Sequence, residues 1–185
     1  MRGRGHAPDA TVRTMIRLEA LGPRHVDAIL AGQDPLLAHE IAGRTWDRPS
    51  LDAFLARAAR WRADGPLREY AAVRREREVD STGLLVGGGG VALLGAGLDR
   101  GQAALTYWVL AAHRGRGHGH EIAAALVRTL HGDTRVREII LRIDPGNSAS
   151  QAVARRLGAR PVGRLEPHPA DARRRVERWT LPCTP

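Results

Sequence analysis

The chain has 185 residues, 43% of them apolar, enough for one domain with a hydrophobic core, and a formal charge of +9. All 29 basic residues are arginines scattered along the sequence, which reads as whole-chain usage rather than a nucleic-acid-binding block; a polyanionic ligand or a ribosomal partner stays compatible with it. Cys183, near the end, is the only cysteine, which excludes a disulfide framework and a cysteine metal site and fits a reducing cytoplasm, and no apolar run approaches the roughly 20 residues of a membrane span.

Residues 1–13 are basic without a following apolar stretch and are expected as a loosely ordered tail ahead of one domain over 14–183. Met15 to Leu21 alternates apolar and polar residues and predicts a strand. Gly22-Pro23 breaks it, and Pro23 opens a helix through Leu30. A second short helix is expected from Leu36 to Ile41. A third follows from Ser50 as N-cap through Leu51, Phe54, Leu55, Ala58 and Trp61 to Gly65. Strands then read over Tyr70–Arg74, Leu84–Leu94 and Leu105–Leu110, an antiparallel meander with a polar turn at Asp80–Gly83. The run Gly87–Gly90 reads chiefly as a bulge, with close approach of a ligand as the alternative. A helix from Gly117 to about Gly132, a strand over Val136–Ile143 and a turn at Asp144-Pro145-Gly146 come next. Asn147 caps a further helix that closes at Gly158, and Pro161–Leu165 with Arg175–Leu181 form a terminal hairpin.

The chemistry concentrates in His113-Arg114-Gly115-Arg116-Gly117-His118-Gly119-His120-Glu121, a glycine-interrupted basic loop between the strand ending at Leu110 and the helix that opens near Gly117. The first N–H groups of a helix lack intrahelical acceptors and carry the positive end of its dipole, so an anion is stabilised there. Glycines admit close approach, and Arg114 and Arg116 add fork-shaped donors suited to phosphate. The loop's histidines and Glu121 are of metal-ligand type, but the anion reading accounts for the loop and no metal is expected. Tyr107 and Trp108 alternate on their strand, so one faces the core and the other a cleft.

Tyr107-Trp108-Val109, the spacing of Arg114, Gly117 and Gly119, and Asn147-Ser148-Ala149-Ser150 followed by Ala154-Arg155-Arg156-Leu157-Gly158-Ala159 together resemble the GNAT superfamily of acyl-CoA-dependent N-acetyltransferases, its RimJ/RimL-like branch most of all. The resemblance implies an α/β (α+β) fold: a mixed, mostly antiparallel, twisted sheet of about six to seven strands flanked by helices and splayed at a central wedge for acetyl-CoA. It implies that Trp108, Val109 and Leu110 pair with the pantetheine arm and that Arg114, Gly115, Arg116, Gly117, His118, Gly119 and His120 surround the pyrophosphate. Asn147 would bond near the pantetheine. Acetyl would pass directly to a primary amine, a protein N-terminus or a small molecule, with backbone N–H groups near Val109 and Leu110 on the oxyanion. Many relatives carry a tyrosine where this chain has Ala154, and the branch carries a serine near the helix start, so Ser150 is the expected proton donor to the thiolate. No carboxylate stands before Tyr107 on the central strand. Either Glu40 or Asp47 acts through water, or the amine arrives neutral. Missing these groups, the chain also fits a non-catalytic acyl-CoA-binding module.

Overall fold

The computed structural model describes residues 16–41, 45–74, 83–169 and 171–183, the side chains of 39–41 excepted, so the expected tail and the turn at 80–82 lie outside the described residues. Seven strands form one sheet in the order β1-β2-β3-β4-β5-β7-β6, where β1 is Ile16–Ala20, β2 Leu67–Arg74, β3 Leu84–Ala92, β4 Gln102–Val109, β5 Glu138–Ile143, β6 Arg160–His168 and β7 Asp171–Pro182. Every neighbouring pair is antiparallel except β4 and β5. The helices are α1 (Val26–Gly32), α2 (Pro35–Ile41), α3 (Arg48–Ala58), α4 (His118–Leu130) and α5 (Ser148–Leu157).

Two apolar clusters cover the two faces. On one, α4 and α5 pack Ile122, Leu126, Leu130 and Ala154 against Tyr70, Ala72, Leu105 and Ile139. On the other, Leu37, Leu51 and Leu55 of α2 and α3 meet Ala71, Val73, Leu85 and Leu110. The alternation of β2 thus divides its side chains cleanly between two cores, as a strand covered on both faces requires.

Three local features differ from the sequence reading, each for a physical reason. Asp47, not Ser50, caps α3, because its carboxylate accepts from the Ser50 N–H at 2.8 Å; a carboxylate three residues earlier outcompetes the serine. The helix stops at Ala58 rather than near Gly65, and Trp61 turns away to meet Tyr70 edge-on at 5.4 Å. A register shift near Val86 puts the bulge just before the glycines. The glycines themselves are packing surfaces: a Cβ at Gly89 would lie 2.7 Å from Leu126 of α4, and one at Gly88 would lie 2.5 Å from the Trp108 indole on the other face.

The far end of α4 is fastened to β2 by charge. Arg68, buried to 3% exposure, donates to Asp133 at 2.7 Å and to the Gly65 carbonyl at 2.8 Å. Hydrogen bonds from Arg135 and then Arg68 hold the Asp133 carboxyl well below the usual carboxylate range. A carboxyl depressed in the folded state stabilises fully above its unfolded value of about 3.9, and that stabilisation disappears as pH falls through the folded value. Asp133→Asn leaves Arg68 as a buried charge without its counter-ion, and is expected to lower the unfolding free energy at pH 7 by about 3 kcal/mol in urea titration, with the gap to wild type narrowing in acid.

Candidate active site

The sheet opens at one place. β4 and β5 are paired only at Gln102/Glu138, Ala103/Ile139 and Ala104/Ile140, after which Leu105–Val109 and Leu141–Ile143 diverge. A cleft of about 640 Å³ fills the gap, lined by Tyr107, Trp108 and Val109 on one side and Ile143, Asn147 and Ser150 on the other. Parallel pairing of so few residues leaves the outward N–H and C=O groups of β4 without a neighbouring strand, a ready edge for an extended ligand arm.

Of the two amides expected to face an oxyanion, Leu110 is taken: its N–H donates to the Val86 carbonyl at 3.0 Å and its side chain is buried. The Leu110 expectation is corrected in that respect. Alternation along the antiparallel ladder then turns the Val109 N–H into the cleft. The Val109 carbonyl accepts from Arg114 Nε at 3.1 Å, which stiffens the end of β4.

The phosphate loop is built from backbone. Gly115 and Gly117 have φ of +74° and +85°, conformations that suit glycine, and α4 begins directly after Gly117. Among the described residues, the N–H groups of Gly115, Arg116, Gly117, His118 and Gly119 have no protein acceptor. This run of unsatisfied donors around left-handed glycines is a nest at a helix N-terminus, and a Cβ at Gly115 or Gly117 would meet nothing within 4 Å.

The side chains around the nest divide into different tasks. The Arg114 guanidinium, expected on phosphate, grips Asp34 in bidentate fashion at 2.6 and 2.9 Å and so links the start of α2 to the end of β4. Arg114 in turn holds the Asp34 carboxyl below its ordinary value. Arg116 stays exposed at the loop tip, and Arg156 of α5, part of the resembling motif but given no ligand role there, lines the cleft. His118 is buried; its Nδ1 lies 3.3 Å from Glu121, and its Nε2 has no partner. Burial together with Arg116 lowers the His113 pKa, and burial with Arg156 lowers that of His120. No group of three or more metal-ligating side chains gathers among the described residues.

At the other end of the cleft, Asn147 caps α5 by accepting from the Ser150 N–H at 2.9 Å, fixing the serine at the helix start. The Tyr107 hydroxyl donates to Ser150 Oγ at 3.1 Å. Ser150 therefore keeps its own proton for a group in the cleft. Position 154 holds a fully buried alanine, and the phenol comes instead from β4, a pairing that no spacing along the chain announces. Of the two bases considered, Asp47 is occupied as the α3 cap, and the Glu40 side chain lies outside the described residues.

The acetyltransferase (GNAT) domain family model matches residues 16–160. Comparison with curated proteins gives no significant match. Among solved structures, spermidine N-acetyltransferase from Vibrio cholerae in complex with CoA and spermine superposes with a TM-score of 0.70 at 13% identity, over 91% of this chain and 95% of that one. AAC(6')-Ib in complex with paromomycin and acetyl-CoA gives 0.71 at 15% identity, over 91% and 93%. A protein provisionally designated a ribosomal-protein-serine acetyltransferase, also from Vibrio cholerae, gives 0.69 at 17% identity, over 92% and 95%. At such identities the likeness is one of fold.

If the nest receives a pyrophosphate, Gly117→Glu places a carboxylate in it and is expected to abolish acetyl-CoA binding in calorimetry, whereas Gly117→Ala, which carries the same backbone strain without the charge, loses no more than about tenfold.

Proposed function

The chain belongs to the GNAT acetyltransferase family, and on that premise we propose that it passes the acetyl group of acetyl-CoA directly to a primary amine held on the α2 side of the cleft. The observation that carries this reading is the coincidence, in one cleft, of an unpaired β4 edge, a nest of free amides and a hydroxyl pair. The amides of residues 115–119, with Arg116 and Arg156 at the rim, receive the pyrophosphate; the edge from Trp108 to Val109 pairs with the pantetheine arm. The Val109 N–H stabilises the developing oxyanion. Ser150 gives its proton to the departing thiolate and is refilled from Tyr107. No cysteine lines the cleft, which supports direct transfer over an acyl-enzyme.

The acceptor side has its own character. Its wall is Leu36, Leu37, Leu94 and Leu98, with Leu36 55% and Leu94 66% exposed, and no aspartate or glutamate is among the described residues lining the cleft. Such a wall suits an amine attached to an apolar, uncharged body, and a polycation would lack counter-charges there. We take a peptide α-amino terminus with an apolar first side chain as the acceptor, in keeping with a RimJ/RimL-like enzyme that carries Ser150 and lacks a tyrosine at position 154. No helix among the described residues is long and apolar enough to cross a membrane, and the lone buried Cys183 is in keeping with work in a reducing cytoplasm.

A thiol-release assay against free-N-terminus peptides and polyamines tests the reading: turnover is expected with apolar peptides and not with spermidine. Confirmed acetyl-CoA binding with silence toward every amine would leave a non-catalytic acyl-CoA-binding module. Ser150→Ala and Tyr107→Phe are expected to lower kcat by about 10²-fold and by a smaller factor, respectively, with little change in acetyl-CoA affinity.

A further inference from the structure

The four glycines of β3 leave one observation unexplained by packing on α4. Gly88 and Gly90 face the α1–α3 side, and each lies under a side chain from a neighbouring strand: Trp108 over Gly88, and Glu69 over Gly90. A Cβ at Gly90 would stand 2.6–2.7 Å from both carboxylate oxygens of Glu69, so the carboxylate lies flat against the bare backbone of β3. The same row continues to Thr106, paired with Gly90 on β4, which is exposed and lines the cleft. Glu69, Gly90 and Thr106 thus form a lane across the sheet that ends beside the acceptor wall.

Glu69 does not look like a structural carboxylate. Glu69 is half-buried, and among the described residues its side chain makes no hydrogen bond or ion pair, so its free oxygens stay available to water on that face. Its described neighbours on that face give it no counter-ion. Arg68, next in sequence, points through the sheet to Asp133; Glu19 and His25 bond each other at 3.1 Å, with Arg17 and Arg24 on the same carboxylate; α3 contributes Leu51, Leu55 and Ala58. Burial alone pushes the Glu69 carboxyl up to about 7.

We propose that Glu69 is the proton acceptor for the incoming amine, reached through water lying over Gly90 beside the Thr106 hydroxyl. This rests on the transferase reading above. The ammonium form of the acceptor gives one proton to the Glu69 carboxylate, which becomes the neutral acid. The freed lone pair forms the C–N bond, the C–S bond breaks, the thiolate takes a proton from Ser150, the nitrogen loses its second proton to solvent, and solvent returns one proton through Tyr107 to Ser150. Glu69 then returns its proton to water before the next turnover. Gly90 is a positioning residue in this scheme, since only a residue without a side chain lets the carboxylate lie toward Thr106.

The test pairs a kinetic with a spectroscopic readout. With acetyl-CoA and a short peptide of apolar first residue, wild-type kcat/KM is expected to fall on the acid side of an apparent pKa near 7, and Glu69→Gln to lose about 10²-fold at pH 7 together with that limb, its residual rate following the free-amine fraction of the peptide. Gly90→Ala, whose added methyl comes closest to the movable end of Glu69, is expected to fold and still lose rate by at least tenfold. Carbon-13 NMR of labelled glutamate in the acetyl-CoA-bound protein should show the Glu69 carboxyl titrating near neutrality. A Glu69→Gln variant with wild-type rate and profile, or a carboxyl titrating in the ordinary range, overturns the assignment while leaving the transferase reading intact; a wild-type protein silent toward every amine overturns both.

Discussion

Everything at the site follows from the parting of β4 and β5 after three paired residues. A sheet that stayed zipped would satisfy the β4 edge internally and leave neither a slot for an extended arm nor a free N–H at Val109. The splay is held open from both sides. On one side β5 pairs with β7 along its full length, and on the other β4 pairs with β3 from Ala104 to Val109. Each strand therefore has a complete ladder on its outer side and none facing the gap, so the opening costs few hydrogen bonds beyond those that a ligand would restore.

The helices exploit that opening through their ends. α4 begins where β4's connection delivers it, with a glycine nest whose donors have no acceptor among the described residues, while α5 begins across the gap with Asn147 fixing Ser150. Tyr107 bridges the two walls, and Gly119 lets α4 approach closely enough that a Cβ there would lie 3.3 Å from the Tyr107 ring. The Arg114–Asp34 pair is a further brace: it ties the start of α2 to the loop that carries the nest. Burial, with Arg116 beside His113 and Arg156 beside His120, favours the neutral form of both histidines.

The features legible in sequence are those whose cause is local. Gly117 before an alanine-rich run, Asn147 three residues ahead of Ser150, and Gly158 after Leu157 each carry their own capping chemistry, and all three sit at helix ends in the structure. What stayed hidden depends on partners far along the chain. The Tyr107–Ser150 bond spans 43 residues, and the Arg114–Asp34 pair spans 80. Nothing along the chain announces that Asp34 will grip Arg114, and Glu69 lies just ahead of the expected strand Tyr70–Arg74, unremarkable until Gly90 is found beneath it. The α3 boundary shows the same limit at short range, where Asp47 and Ser50 are both competent caps and only geometry chooses.

The central claim, that the open β4 edge and the α4 nest together receive acetyl-CoA, is tested most directly by residue-resolved amide hydrogen exchange with and without saturating acetyl-CoA. Slowed exchange at Val109 and across Gly115–Gly119, with the Leu110 amide unchanged because Val86 already holds it, is the predicted result. Unaltered exchange at Val109 and in the nest under saturating ligand would contradict it.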